Sequence, residues 1–351
     1  MNESFKTYCV GGHRFRVAVE EPWHFKELNE EEKAVAERLR LGGDLGVIPV
    51  PADKLEDIAL NEKIAGKDGA KPERWALDFS QYAPFEVEGT EEPLFSLEVR
   101  LGVPQWITDS IASGKARRVV TVDEIPPFYY GYVLDGKTFY EYRPAREVVA
   151  GFFVIAEDGK TGCYYSAERM GPRTTMFQVN TSLMIFYTFA TAPHSTLLLH
   201  SSMVRHRGEA NLFFGVSGTG KSTHSRLWLE HVRGCDLMND DNPVIRFRDG
   251  RLMAYGSPWS GKTLCYRNVC APVRALVRLE QAPENRIDRL EALEAYASVV
   301  AAASTIRWNS AVMDLIVPTV ERVAMNVPCW HLGCRPDAEA VQVCMEAIEN
   351  L

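Results

Sequence analysis

Polar and apolar positions first fall into a helical pattern at residues 26–40 (KELNEEEKAVAERLR), a run of strong helix formers that predicts a helix stopping at Gly42-Gly43. Further on come two hairpin signals. Residues 130–134 and 138–142 flank Asp135-Gly136, and residues 152–156 and 162–165 flank Asp158-Gly159. Asp-Gly supplies the positive φ angles of a tight turn, so both pairs predict hairpins. Residues 168–173, with Gly171-Pro172, read as a loop and predict a division there. The chain is thus expected as a β-rich domain over 1–172 and a second domain over 173–351.

In the second domain, residues 175–190 predict an apolar helix, and residues 195–200 and 210–216 predict buried strands. A helix over 221–233 follows, stopped by Gly234, and residues 243–247 and 252–255 predict a third hairpin across Asp249-Gly250. Residues 274–279 predict a strand. The tail predicts helices over 287–303 and 312–325, a short strand near 329–332 and a last helix from Asp337. Strands followed by helices indicate an α/β layer with a mixed sheet.

Composition narrows the function classes. A chain of 351 residues exceeds the usual size of one core, in keeping with two domains. Its formal net charge of -8 argues against nucleic acid as a partner, because binding a phosphate backbone needs a basic face. Eight cysteines contain no C-x-x-C pair, which disfavours zinc ribbons and thioredoxin-like redox chemistry and fits reduced thiols. No basic segment followed by an apolar run opens the chain, and its most apolar stretch, residues 183–192, is too short to span a bilayer. The expectation is a soluble cytoplasmic protein without a membrane partner; self-association is left open.

The chemistry lies in Gly215-Val216-Ser217-Gly218-Thr219-Gly220-Lys221-Ser222, which matches G-x-x-x-x-G-K-[ST]. Its glycines let backbone N–H groups turn toward phosphate oxygens, and Lys221 puts a charge on the β- and γ-phosphates. Ser222 is placed to ligate Mg²⁺, and the helix that begins here points its positive end at the same phosphates. The expected nucleotide-binding residues are Gly215, Ser217, Gly218, Thr219, Gly220, Lys221, Ser222 and Thr223. Residues 256–263 (GSPWSGKT) satisfy the pattern too, but Pro258 and Trp259 sit within the supposed loop and no helical period follows. This second match reads as a surface turn, or as a loop that brings Lys262 to the active site. Asp240 and Asp241, about twenty residues after the first loop, stand where such folds hold Mg²⁺ and orient a nucleophile.

The ordered run Leu199-His200-Ser201-Ser202-Met203, Gly208, residues 210–223 and Asp240-Asp241 resembles the core of ATP-dependent phosphoenolpyruvate carboxykinase and, equally, the catalytic domain of HPr kinase/phosphorylase. The resemblance covers residues 196–280. It implies an α/β fold with a phosphate-loop core and mixed sheet, joined to the β-rich N-terminal domain. It also implies that His200 sits beside the paired aspartates, as a ligand of a second metal or near the acidic base, and that Asp241 is the nearer to the reacting phosphate or acceptor hydroxyl. On this reading Asp241, His200 and Lys221 are catalytic, and Ser222, Asp240, Asp241 and His200 serve metal. The arginines with which carboxykinases grip their substrates have no assignable counterparts, Arg246, Arg274 and Arg278 being the candidates.

The expected function is an ATP-dependent kinase, using Mg²⁺ or Mn²⁺, that transfers the γ-phosphate to a hydroxyl on a small metabolite, peptide or small protein. The N-terminal domain is expected to help choose the acceptor. A carboxykinase-like lyase and a non-catalytic ATP-binding switch are the alternatives. The switch would need the loop but neither His200 nor a second aspartate.

Overall fold

The computed structural model describes residues 3–43, 75–124, 127–261 and 263–350. By compactness these fall into two units, residues 3–33 with 75–190 and residues 34–43 with 191–350. The chain is mixed α/β with several sheets. No described helix is long and apolar enough to cross a membrane.

The first unit contains β1 (Glu3–Val10), β2 (His13–Glu20), β3 (Trp23–Phe25), the start of α1 (Glu30–Arg40), β4 (Trp75–Leu77), β5 (Phe95–Leu101), α2 (Gln105–Ala112), β6 (Arg117–Val122), β7 (Phe128–Leu134), β8 (Lys137–Arg143), β9 (Gly151–Ile155), β10 (Thr161–Ser166) and α3 (Pro172–Thr191). Eight strands make one sheet in the order β1-β2-β5-β10-β9-β8-β7-β6. The two hairpins form where the Asp-Gly pairs stand, and Asp135 and Gly136 take φ of 47° and 74°. Residues 26–29 stay outside the predicted first helix. Asn29 caps it instead: Asn29 Oδ1 accepts from Glu32 N at 2.9 Å, and Glu32 Oε2 accepts from Asn29 N at 2.9 Å.

The division between the units falls after Ala190 and not near residue 172. Packing explains the difference. On α3 the Phe186 ring lies 4.4 Å from that of Phe95 and 5.7 Å from that of Phe153, and Tyr187 Oη donates to Val10 O at 2.9 Å. The helix is therefore part of the first unit's core.

The second unit continues with β11 (Thr196–Leu198), β12 (Ser201–His206), β13 (Glu209–Phe214), α4 (Lys221–His231), β14 (Asp236–Asn239), β15 (Val244–Arg248), β16 (Arg251–Tyr255), β17 (Cys270–Gln281), β18 (Arg286–Arg289), α5 (Ala292–Ala302), α6 (Ser310–Asn326), β19 (Cys329–Cys334) and α7 (Ala338–Glu349). Its sheet runs β11-β15-β16-β17-β13-β12-β14, with β19 beside β17 and β18 beside β19. Strands β13, β17 and β19 are parallel. Antiparallel β12 lies between β13 and β14, so β14 runs the same way as β13. Phe213, Val277, Leu332 and Val204 pack with Trp228 of α4 and with Val341 and Cys344 of α7 in one buried cluster.

Two elements depart from expectation. Strand β12 was not anticipated; it forms because Arg207 and Gly208, at φ of 51° and 80°, close a two-residue hairpin onto β13. The helix expected over 287–303 is a strand followed by a helix. Residues 286–289 pair with β19, and α5 begins only after Glu291, whose side chain forms a capping box with Glu294.

Candidate functional site

Parallel strands that end together gather their following loops at one edge of a sheet. Here β13 ends at Phe214 and leads into the glycine-rich turn, and β14 ends at Asn239 and leads into Asp240-Asp241. Because β12 runs in reverse, it begins at that edge, where Ser201 pairs with Phe214 and Met203 with Asn239. His200 directly precedes it. The structure therefore brings together the turn, both aspartates and the histidine, which are up to 41 positions apart in the sequence.

The turn joins a strand to a helix. Gly215 takes φ of 155°, and a Cβ there would stand 2.7 Å from Leu279 O, so the close approach to β17 requires glycine. Gly218 and Gly220 take φ of 85° and 99°. Gly220 is the N-cap of α4 and offers no side-chain acceptor, so the first N–H groups of the helix are uncapped by a side chain. Thr219 N and Oγ1 both donate to Val216 O, at 3.2 and 2.8 Å. Lys221 folds over the turn, with Nζ 3.2 Å from Gly215 O and 3.4 Å from Val216 O. Burial holds its ammonium below the ordinary lysine range, while Asp241 and Asp240 pull it the other way. Ser217 and Ser222 are exposed, and Thr223 is half-buried.

The two aspartates differ. Asp240 is 5% exposed; its Oδ1 accepts from Ser202 Oγ at 2.7 Å, and Ser202 Oγ is in turn 2.6 Å from Ser225 Oγ of α4. Its Oδ2 is buried with no hydrogen-bond partner. A buried carboxylate oxygen left unpaired is costly, and a cation is the partner it suits. Asp241 is more open. Its Oδ1 lies 3.1 Å from His200 Nδ1, and its Oδ2 accepts from Asn242 Nδ2 at 2.9 Å. Nδ1–H can donate to the carboxylate, and Nε2 of the half-exposed ring lies outside that contact. No three His, Cys, Asp or Glu side chains among the described residues gather into a ready-made metal cage.

Around the aspartates lies a scaffold that sequence reasoning missed. Asn239 Nδ2 donates to Ser257 Oγ at 3.1 Å and its Oδ1 accepts from Asp241 N at 3.0 Å, while Ser257 Oγ donates to Asn242 O at 2.7 Å. Ser304 Oγ donates to Asn242 Oδ1 at 2.7 Å. The only signal was Asn239 and Asn242 flanking two aspartates.

The second pattern match lies between β16 and β17, and no helix follows it. Its glycines answer to packing: a Cβ on Gly256 would stand 2.0 Å from Arg267 O, and one on Gly261 would stand 3.1 Å from Asp240 O and 3.3 Å from Asp241 Cβ. The segment thus buttresses the aspartates. Lys262 lies outside the described residues.

No protein-family model matches the chain, and no curated protein matches it in sequence. Among solved structures, the HPr(Ser) kinase/phosphatase from Coxiella burnetii aligns over 44% of this chain and 93% of its own, at 13% identity and a TM-score of 0.27. So distant a likeness transfers neither residues nor activity.

Proposed function

We propose that the chain is an ATP- and Mg²⁺-dependent kinase acting on a hydroxyl acceptor. The observation that carries the reading is the meeting, at one sheet edge, of an uncapped helix start behind a glycine-rich turn with a buried aspartate whose Oδ2 has no partner. The turn and Thr223 would receive the triphosphate through backbone N–H groups, with Lys221 on its terminal phosphates. Asp240 and Ser222 would hold Mg²⁺, with Asp241 and His200 next to them; the ion neutralises charge on the phosphates when bound.

Asp241 takes the proton of the acceptor hydroxyl, and His200 orients that carboxylate. The acceptor oxygen bonds to the γ-phosphorus as the bond to the β,γ-bridging oxygen breaks, and ADP leaves. Lys221 offsets the charge spread over the transferring group. Mass spectrometry of hydroxylated acceptors and cell extracts incubated with γ-labelled ATP tests this, with label on a hydroxyl as the expected result. A wild-type protein that neither binds MgATP nor consumes it would overturn it.

A further inference from the structure

Beside the turn lies a cleft of about 560 Å³, bounded by Gly215, Val216, Thr219, Arg278, Ser298 and Ala302. Its size falls among small-molecule sites. We propose, building on the kinase reading, that this cleft seats the acceptor and that Arg278 selects acceptors carrying an anionic group.

Position is the first argument. The cleft touches Gly215 and Val216, whose carbonyls lie nearest the Lys221 ammonium, and does not include Ser222 or Thr223 at the helix start. The lysine of such a turn reaches the terminal phosphates, so the cleft adjoins the reacting end of the nucleotide. Its far wall includes Ala302, whose carbonyl accepts from His200 N at 2.8 Å. The cleft therefore extends from the phosphate turn to the backbone that carries His200.

Charge is the second. Arg278 pairs in register with Phe214, the last residue before the turn. Its Nη1 donates to Ser298 Oγ at 3.2 Å, and among the described residues no carboxylate lies within 4.0 Å of its guanidinium. Glu280, the acidic side chain on the same wall, is engaged by His331 Nε2 at 2.8 Å. A half-buried planar fork without a counter-ion is suited to a carboxylate or phosphate. Ala297 and Ala301 of α5, also on the lining, bring only methyl groups, which leaves the space open.

The probes are glycerate, glycerol 3-phosphate and glycerol, which share hydroxyls and differ in charge. Calorimetric titration of the whole protein, with an ATP analogue and Mg²⁺ present, should show one or both anions binding at least tenfold more tightly than glycerol. Glycerate prevailing identifies a carboxylate acceptor, and glycerol 3-phosphate a phosphorylated one. Arg278→Gln should abolish the preference and Arg278→Lys should restore part of it. Ala301→Trp, with Ala297→Phe as a second plug, should block the anions and leave MgATP affinity within about threefold. Anion binding that survives Arg278→Gln, or no anion preference at all, would overturn the proposal. So would a plug that expels MgATP instead, since the cleft would then belong to the nucleoside. Failure of the wild type to bind MgATP would sink the kinase reading, and the titrations without nucleotide would still judge Arg278.

Discussion

Nδ1 of His200 stands 3.1 Å from Oδ1 of Asp241 although the two residues belong to different loops. The contact exists because β12 is laid in reverse between two strands that run the other way. It turns the Nδ1 edge of the imidazole to the carboxylate and leaves Nε2 outside that contact. Asp240 makes no such contact and is held instead by Ser202. The neighbouring carboxylates therefore differ in their partners, and the proposed kinase reading gives them different roles.

Asp241→Asn keeps the shape and removes the basicity, so turnover should fall by a factor on the order of 10² or more while MgATP affinity is kept. His200→Ala should also cost turnover far more than affinity, since no contact of the turn depends on it. Parallel assays of ATP consumption and analogue binding check both. If Asp240→Asn abolished transfer while Asp241→Asn left it intact, the roles would be reversed.

Lys221→Ala should abolish turnover and weaken MgATP, because one charged contact disappears while the backbone cradle stays. Lys262→Ala should leave affinity within about threefold. Analogue titration of both variants is the measurement, and equal losses would contradict assignment of the nucleotide to the first pattern.

Gly256→Ala forces a methyl group to within 2.0 Å of a backbone carbonyl that cannot step aside, whereas Gly218→Ala meets open space and only an unfavourable φ. The first should cost about 3 kcal/mol or more and the second about 1 kcal/mol, read from urea midpoints. Near-equal midpoints would mean that the 256–261 segment does not pack on Arg267 as described.

Asp236 bonds to Arg205 at 2.7 Å and to Arg267 at 2.8 Å, the latter with only 3% of its side chain exposed. Burial pushes the carboxyl up, but the two arginines outweigh it and hold it below its ordinary 3.8. A folded-state value below the unfolded one gives stability that is complete above about pH 4 and lost as pH falls through the lowered value. Asp236→Asn should therefore cost about 3 kcal/mol at neutral pH, by leaving buried Arg267 without its carboxylate, and clearly less in acid, where the wild-type carboxyl is itself losing its charge. Urea unfolding at pH 7 and pH 3 gives the comparison. An equal cost at both values would exclude the ion pair as the source.

The hairpins were legible because Asp-Gly dictates its own turn locally, and the glycine-rich turn because its motif is contiguous. Strand β12 was not, since Ser201, Ser202, Arg205 and His206 leave only Met203 and Val204 as an apolar signal. Strand β18 is three-quarters charged, and its identity comes from pairing with β19 rather than from its own pattern. The pairing of His200 with Asp241 was legible only through the resemblance. Ser202, Asn239 and Ser257 were invisible as site residues, because a lone serine or asparagine acquires a role only from the partners that folding brings to it.

The reversed direction of β12 has a further consequence at its other end. The turn Arg207-Gly208 that closes it lies at the edge of the sheet away from His200, and a Cβ on Gly208 would meet nothing within 4 Å. The chain could be opened there, or a reporter domain spliced in, without cutting any of the loops or the helix start that carry the candidate site. The length of the strands separates the place where the polypeptide can be re-engineered from the candidate site.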